Sequence, residues 1–308
     1  MAMAPEVGTS RVFVIVNAKS GNSSPEDVRK ASKAHRAEGS GEYRIHEPGA
    51  GEDILAIVRG AVAQGFDTVV AAGGDGTVSV VANGLIGSGA RLGIIPLGTA
   101  NVLARELGIP LALEDACALL NGPNTTTSID AMKVKGTHYF TQIGIGVDAF
   151  MIRDTTVKHK RWLGNGAYIW TAATRFIGFR THRFSIAADD RRARPRALQV
   201  VLANSGSLGT SGLRWGPDVR VNDGQIDVCI LRAQTLLNFL SAGWSVIRGR
   251  HREDRNIQLL TARRAVAIHV DRPLPVQGDG ELIGETPLEV QVVPRALRVI
   301  VPRDQVRN

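Results

Sequence analysis

Strand-like and helix-like stretches alternate through roughly the first 128 residues, and then the alternation stops. Arg11–Val16 is a short β-rich run, a polar helical stretch starts near Pro25, and Arg44–His46 reads as a second strand. Ile54, Ile57, Val58 and Ala61 repeat at helical spacing. Phe66–Ala72 and Leu92–Ile95 are strand-like, while Val78, Val81, Ala82, Leu85 and Ile86 fall on one helix face. Ala100–Leu107 restarts a helix that Gly108 and Pro110 stop. This alternation predicts a mostly parallel sheet flanked by helices. From Ser128 onward the runs are mainly strands: Ser128–Val134, Tyr139–Gly144, Arg183–Ala187, Ala197–Ala203, Gln225–Leu231, Ala265–Val270, Leu288–Val293 and Leu297–Val301. Helices interrupt near 157–180 and 235–250, and turn signals such as Asn222-Asp223-Gly224 stand between strands. The expected fold class is α/β plus all-β, with an N-terminal α/β domain over 11–128 and a C-terminal antiparallel β domain with helical insertions over 129–295.

A length of 308 residues favours two domains over one. Apolar residues at 44% and charged residues at 21% provide a core and exclude wholesale disorder. The 37 basic against 29 acidic residues give a net +8, which favours nucleotide phosphates, nucleic acid or an acidic membrane surface as partners. Cys117 and Cys229 lie far apart and exclude a disulfide scaffold or Cys-rich zinc site. The N-terminus lacks a basic stretch followed by a long apolar run, so no signal peptide is expected. The longest helix-like apolar stretch, 235–247, is shorter than the about 20 residues a bilayer span needs. A soluble cytoplasmic protein is expected, with peripheral contact at the inner membrane face left open.

Three loops of the first half share one design, each following a strand, rich in small residues and leading towards a helix. Backbone N–H groups at such a turn, with the positive end of the next helix, make an anion site. The strongest is Gly73-Gly74-Asp75-Gly76-Thr77, where adjacent glycines let a phosphate approach the backbone. Asp75 repels a phosphate unless it holds magnesium or bonds the acceptor hydroxyl; otherwise it is a local cap. Pro96-Leu97-Gly98-Thr99-Ala100-Asn101 is the second, in which Thr99 or Asn101 could cap the next helix and do no more. Asn17-Ala18-Lys19-Ser20-Gly21 is the third. Open α/β sheets bind ligands at that edge. None of the loops matches Gly-x-x-x-x-Gly-Lys-Ser/Thr or Gly-x-Gly-x-x-Gly, which disfavours ordinary P-loop and dinucleotide enzymes.

The ordered set Gly73-Gly74-Asp75-Gly76-Thr77, Pro96-Leu97-Gly98-Thr99-Ala100-Asn101, Asn222-Asp223-Gly224 and Asp279-Gly280-Glu281 resembles the diacylglycerol kinase catalytic family, which includes YegS-like lipid kinases and the sphingosine and ceramide kinases. The resemblance covers nearly the whole chain. It implies a nucleotide-binding α/β domain of NAD-kinase type, a β-sandwich domain, an active-site cleft between them, and a C-terminal segment 296–308 that returns to the first domain. It assigns ATP to Asn17–Gly21, Gly73–Thr77, Gly98, Thr99 and Asn101. It assigns Mg2+ to Asp223 with the backbone carbonyls of Arg220 and Gln225, and the general base to Glu281, with Asp75 and Asp279 beside it in the catalytic set. Three positions depart from the family pattern: Ala18 replaces a proline, His46 stands where a nucleotide-contacting threonine is usual, and Val102 replaces an aspartate.

The acceptor implied by the resemblance is a lipid hydroxyl presented at a membrane surface, diacylglycerol first, with a sphingoid base, a ceramide-type lipid or another glycerolipid behind it. Basic and aromatic residues mingle at 157–180 and at 235–255, which suits an anionic membrane interface, core packing or, for the first, a homodimer contact. Nucleic acid is disfavoured, because aromatics are few and no recognition signature appears. A soluble-substrate kinase of NAD-kinase type and a non-catalytic nucleotide- or lipid-binding regulator are the alternatives. Asp75, Asp223 and Glu281 together argue against the regulator, since binding alone does not need all three.

Overall fold

The computed structural model describes residues 11–17, 23–35, 41–147, 149–150, 180–207, 214–216, 218–233, 235–248 and 254–306. They form two compact units, one from the chain start to Ile129 together with Arg295 onward, the other from Asp130 to Pro294. Most of 157–180, and residues 249–253 of the second basic–aromatic stretch, lie outside the described residues.

The first unit is built on four parallel strands, β1 (Val12–Val16), β2 (Tyr43–His46), β3 (Thr68–Gly73) and β4 (Arg91–Pro96), in the order β2-β1-β3-β4. Every residue of β3 is buried, and its β-branched run suits a central strand covered on both faces. Five helices cover the sheet: α1 (Pro25–Ala34), α2 (Ile54–Ala63), α3 (Asp75–Leu85), α4 (Val102–Glu106) and α5 (Leu113–Asn121). A reciprocal capping box between Ser24 and Asp27, with Pro25 in the first turn, starts α1. Val28 and Ala31 of α1 then pack with Ala116 and Cys117 of α5 over Val14, Val16 and Val70. Gly84 sets how closely α2 and α3 approach, since a Cβ there would lie 2.6 Å from Val58 Cγ1. The chain leaves β1 for β2 on one side and reaches β3 on the other. The order therefore reverses at β1, and its crevice opens at the C-terminal ends of β1 and β3.

The second unit stacks two antiparallel sheets. One has the order β13 (Ile257–Ala262), β12 (Ile226–Leu231), β11 (Gln199–Ala203), β7 (Gln142–Gly146), β15 (Pro275–Gly278), β16 (Glu281–Glu285). The other carries β8 (His182–Ala188), with β9 (Arg191–Ala193) and β10 (Arg196–Ala197) on one side and β14 (Ala265–Val270) on the other. Period-2 alternation decides which side chains enter the core: Phe184 and Ile186, Val266 and Ile268 are buried, while Arg183, Ser185 and His269 face solvent. They meet Ile143, Ile145, Val200, Leu202, Val228 and Val276 from the first sheet, a sandwich core with one polar outer face. Both cysteines are buried and unbridged, and burial pushes the thiols of Cys117 and Cys229 up, out of the reactive range.

Three strand expectations change. Leu288–Val293 and Leu297–Val301 are one strand, β17 (Leu288–Pro302). Pro294 sits where the partner changes: Leu288–Gln291 pair antiparallel with β14, and Arg298 and Val299 pair parallel with β4. The missing proline N–H therefore breaks neither ladder. The run Tyr139–Gly144 divides into β6 (Thr137–Tyr139), which pairs with β5 (Asn124–Val134), and β7, because the intervening N–H groups turn to a side chain described below. Finally, β13, β15 and β16 have no counterpart among the sequence-read strands; β16 is nearly all exposed and shows no alternation to read. In the helical connection between β12 and β13, α6 spans Leu236–Ile247. Among the described residues, no helix is long and apolar enough to cross a membrane.

Candidate active site

The three small-residue loops of the first unit all leave the C-terminal ends of β1, β3 and β4. Asn17 closes β1 with its N–H on the Ala72 carbonyl at 2.8 Å, and its side-chain amide donates to Thr77 Oγ1 at 3.2 Å. Gly74 is the N-cap of α3 and brings no side-chain cap, so the first-turn N–H groups of the helix are not occupied that way. Gly73 has no room for a side chain, because a Cβ would meet Thr77 Oγ1 at 2.6 Å. Gly98 is blocked by backbone rather than a side chain: a Cβ would lie 2.7 Å from the Gly74 Cα. The Gly73–Thr77 and Pro96–Asn101 loops thus pack backbone against backbone, which only glycine permits.

Asp75 joins these two loops. Its carboxylate accepts the N–H of Asn101 at 2.9 Å and of Val102 at 2.7 Å, capping α4 from outside the helix's own sequence. Asn101, left-handed at φ 47°, does not cap α4; its side chain exchanges two hydrogen bonds with Gly98, at 3.0 Å and 2.8 Å. Thr99 is exposed. His46 pairs with Glu52 at 3.0 Å and stacks on Phe13, and that histidine contact, with the Gly49 N–H, holds the Glu52 carboxyl below its ordinary range. Ala18, Lys19, Ser20 and Gly21 lie outside the described residues.

In the second unit, β15 and β16 are joined by Asp279-Gly280, both at positive φ (47° and 89°), the geometry of a two-residue hairpin. The Asp279 carboxylate turns inward. It accepts N–H bonds from Phe140 (2.8 Å), Thr141 (2.9 Å) and Gln142 (3.1 Å) and the Thr141 hydroxyl at 2.5 Å. This clamp divides β6 from β7. Burial pushes the Asp279 carboxyl up, and the four donors oppose that. Gln277 adds a bond to the Gly280 N–H at 3.0 Å, and Tyr139 packs its ring on Gly278. Glu281, next in sequence, is exposed and makes no ion pair among the described residues. Burial pushes the Tyr139 phenol up, and the Asp279 and Glu281 charges add to that.

Asn222-Asp223-Gly224 is a turn leading into β12 rather than a hairpin, with Gly224 at φ 74°. Buried Asp130 holds both of its ends: its N–H reaches the Val221 carbonyl at 2.7 Å and its carboxylate accepts the Gly224 N–H at 2.6 Å. Asp223 bonds the backbone N–H and side-chain amide of Gln225 at 3.1 Å and 3.0 Å. Burial lifts its carboxyl, and the Asp130 charge adds to that against the pull of Gln225. Two partly desolvated carboxylates so placed favour a cation between or beside them, and the donor set is all oxygen, which suits magnesium. Among the described residues, no group of three or more acidic, histidine or cysteine side chains is assembled, so carbonyls and water would have to complete a shell.

Asn204 links these two loops. Fully buried, it donates to the carbonyls of Asp130 at 2.9 Å and Phe140 at 2.7 Å, and its N–H meets the Thr141 carbonyl at 2.9 Å. A continuous hydrogen-bonded path therefore runs from Asp279 through Thr141 and Asn204 to Asp130 and the Asp223 turn. Sequence reading did not single out Asp130, Thr141 or Asn204. The one available signal was an aspartate inside the apolar run Ile129–Met132.

Residues 11–134 match the diacylglycerol kinase catalytic domain, and residues 141–301 match the YegS C-terminal NAD kinase beta sandwich-like domain. The diacylglycerol kinase of Bacillus subtilis is 30% identical over 86% of this chain and 87% of its own length. A Pseudomonas aeruginosa protein named probable lipid kinase YegS-like is 33% identical over 95% of this chain and 94% of its own. The crystal structure of a diacylglycerol kinase from Bacillus anthracis superposes with a TM-score of 0.74 at 20% identity, covering 96% of this chain and 98% of that one. With two glycine loops locked together by an aspartate in one unit and a carboxylate-bearing hairpin in the other, the chain belongs to the diacylglycerol kinase family of lipid kinases.

Proposed function

We propose that this chain transfers the γ-phosphate of ATP to the hydroxyl of a lipid, with diacylglycerol as acceptor and phosphatidic acid as product. The observation that carries the reading is Glu281: an exposed carboxylate on a hairpin whose preceding aspartate is half-buried and anchored by four donors. A carboxylate so presented suits removal of a proton from an alcohol.

In this reading the N–H groups of Gly73–Thr77 receive the nucleotide phosphates at the N-terminus of α3, and Asn17 and Gly98–Asn101 close the site around them. Asp75 keeps the two loops in register. Glu281 accepts the acceptor's hydroxyl proton as the oxygen forms its bond to the γ-phosphorus, and the bond from that phosphorus to the β–γ bridging oxygen breaks, releasing ADP. Magnesium, when bound, supplies positive charge against the phosphate oxygens. Asp223, with the carbonyls of Arg220 and Gln225, would hold it, and Asp130 shapes that turn. Asp279 acts as a positioning residue through the turn it anchors.

The test is phosphate transfer from labelled ATP and magnesium to an extracted lipid mixture, with products separated by chromatography. Labelled phosphatidic acid is the expected product. Label in a different lipid would replace diacylglycerol as the acceptor, and label confined to water-soluble products would overturn the reading. The nucleotide side has its own check. Gly98→Ala forces the two loops apart at their 2.7 Å contact. A displacement on the order of 1 Å costs about 100-fold in a positioned site, so a rise in the KM for ATP of about tenfold or more is expected in initial-rate measurements.

A further inference from the structure

Two neighbouring features of the second unit are unused by the chemistry above. The first is on α6. Leu237 and Trp244 are 78% and 55% exposed, and with exposed Ser241 and Arg248 they recur at i, i+4, i+7 and i+11, one stripe turned to solvent. The Arg248 guanidinium lies over the Trp244 ring at 4.7 Å, an apolar body with a cationic end. Asp254, the acid nearest in sequence to this stripe among the described residues, is engaged by Ser245 and Asn256.

The second is on the outer face of β8 and β10. Exposed Arg183 and Arg196 stand directly opposite each other in the antiparallel register, with exposed Arg194 alongside. Like charges so placed repel, and among the described residues no ion pair offsets them; the Arg196 guanidinium donates to the Thr181 hydroxyl at 3.1 Å. The chain segments that carry the two features meet at one end of the sandwich. The Leu198 N–H bonds the Leu231 carbonyl at 2.8 Å, and Leu198 packs with Ala233. Arg196 is two residues from Leu198, and Leu237 is four from Ala233.

We propose that this end of the second unit is a docking surface for an anionic lipid bilayer: Leu237 and Trp244 enter the headgroup boundary, and Arg183, Arg194, Arg196 and Arg248 take lipid phosphates. Charge complementarity and the exposed apolar stripe both argue for it. An apolar insertion plus a basic cluster is the pair of signals that stable peripheral binding requires. A nucleic acid would use the arginines but has no use for an exposed leucine, and among the described residues Trp244 is the aromatic side chain that stands exposed. The inference rests on the lipid-kinase reading only for its purpose, since vesicle binding is measured without ATP.

The experiment is co-sedimentation of the full chain with phosphatidylcholine vesicles containing about one-third phosphatidylglycerol, at low salt. At about tenfold per 1.4 kcal/mol and ~1 kcal/mol per arginine, R183Q/R194Q/R196Q should lower the partition coefficient by about 100-fold. L237Q/W244Q should lower it by roughly tenfold or more, and a blue shift of tryptophan emission is expected on adding vesicles and should be diminished in W244F. Arg29→Gln, on α1 of the other unit, should leave partition unchanged. The surface changes are all at exposed positions, and an unaltered thermal midpoint verifies folding. Equal binding to pure phosphatidylcholine, wild-type partition in both multiple variants, or an equal loss in Arg29→Gln would overturn the proposal. So would tighter binding to a duplex oligonucleotide that needs the arginines but not Leu237 and Trp244. Loss of the kinase reading would appear instead as absent transfer to detergent-dispersed lipid, with vesicle binding intact.

Discussion

Glu281→Gln is expected to lower phosphate transfer by about 10²- to 10⁴-fold while leaving ATP affinity within roughly a factor of two. The substitution keeps the volume and the position on β16 but removes the proton acceptor. Because Glu281 is exposed and has no ion pair among the described residues, the fold loses nothing measurable with it. That separation gives the test its force: direct nucleotide binding and the thermal midpoint hold while turnover falls. Turnover within a few-fold of wild type would end the assignment of Glu281 as base and return attention to Asp75.

Asp279→Ala should do the opposite, acting first on stability. Three backbone N–H groups and one hydroxyl lose their only charged acceptor at a buried site. Unsatisfied buried donors cost about 1–3 kcal/mol each, so a loss of about 3–5 kcal/mol is expected after partial relaxation. For a unit of this size that lowers the melting midpoint by roughly 10 °C in calorimetry. Asp279→Asn is the milder companion: it keeps one acceptor oxygen but sets an amide N–H₂ against a backbone N–H. Turnover in that variant should fall with the fraction of correctly placed Glu281, and a full loss of turnover at wild-type stability would instead make Asp279 a catalytic residue. Because Asn204 carries the path onward to Asp130, the destabilisation should reach the Asp223 turn as well.

Much of this molecule was legible in the chain. The parallel half announced itself because β1, β3 and β4 are short, mainly apolar runs followed by small-residue loops, and the helices after β2 and β3 repeat apolar residues at helical spacing. Ala265–Val270 was readable to the residue because one face is buried and the other wet. The glycine loops were legible because a phosphate-sized approach to backbone excludes side chains, and the order of Gly73–Thr77, Pro96–Asn101, Asn222–Gly224 and Asp279–Glu281 carried the family. What the sequence could not show is what depends on partners distant along the chain. Pro294 reads locally as a strand break, yet β17 continues because each half has a different neighbour. Asp75 reads as a magnesium holder, a partner of the acceptor hydroxyl or a local cap, yet it caps a helix 27 residues on. Asp279 reads as a turn residue beside a base, yet it organises residues near 140 from more than a hundred positions away. Buried hydrogen bonds have no period, and a lone aspartate or asparagine gives no hint of its partner until the chain is folded. Local pattern therefore determined the elements and the loops, and tertiary contact alone decided which polar groups hold those loops still.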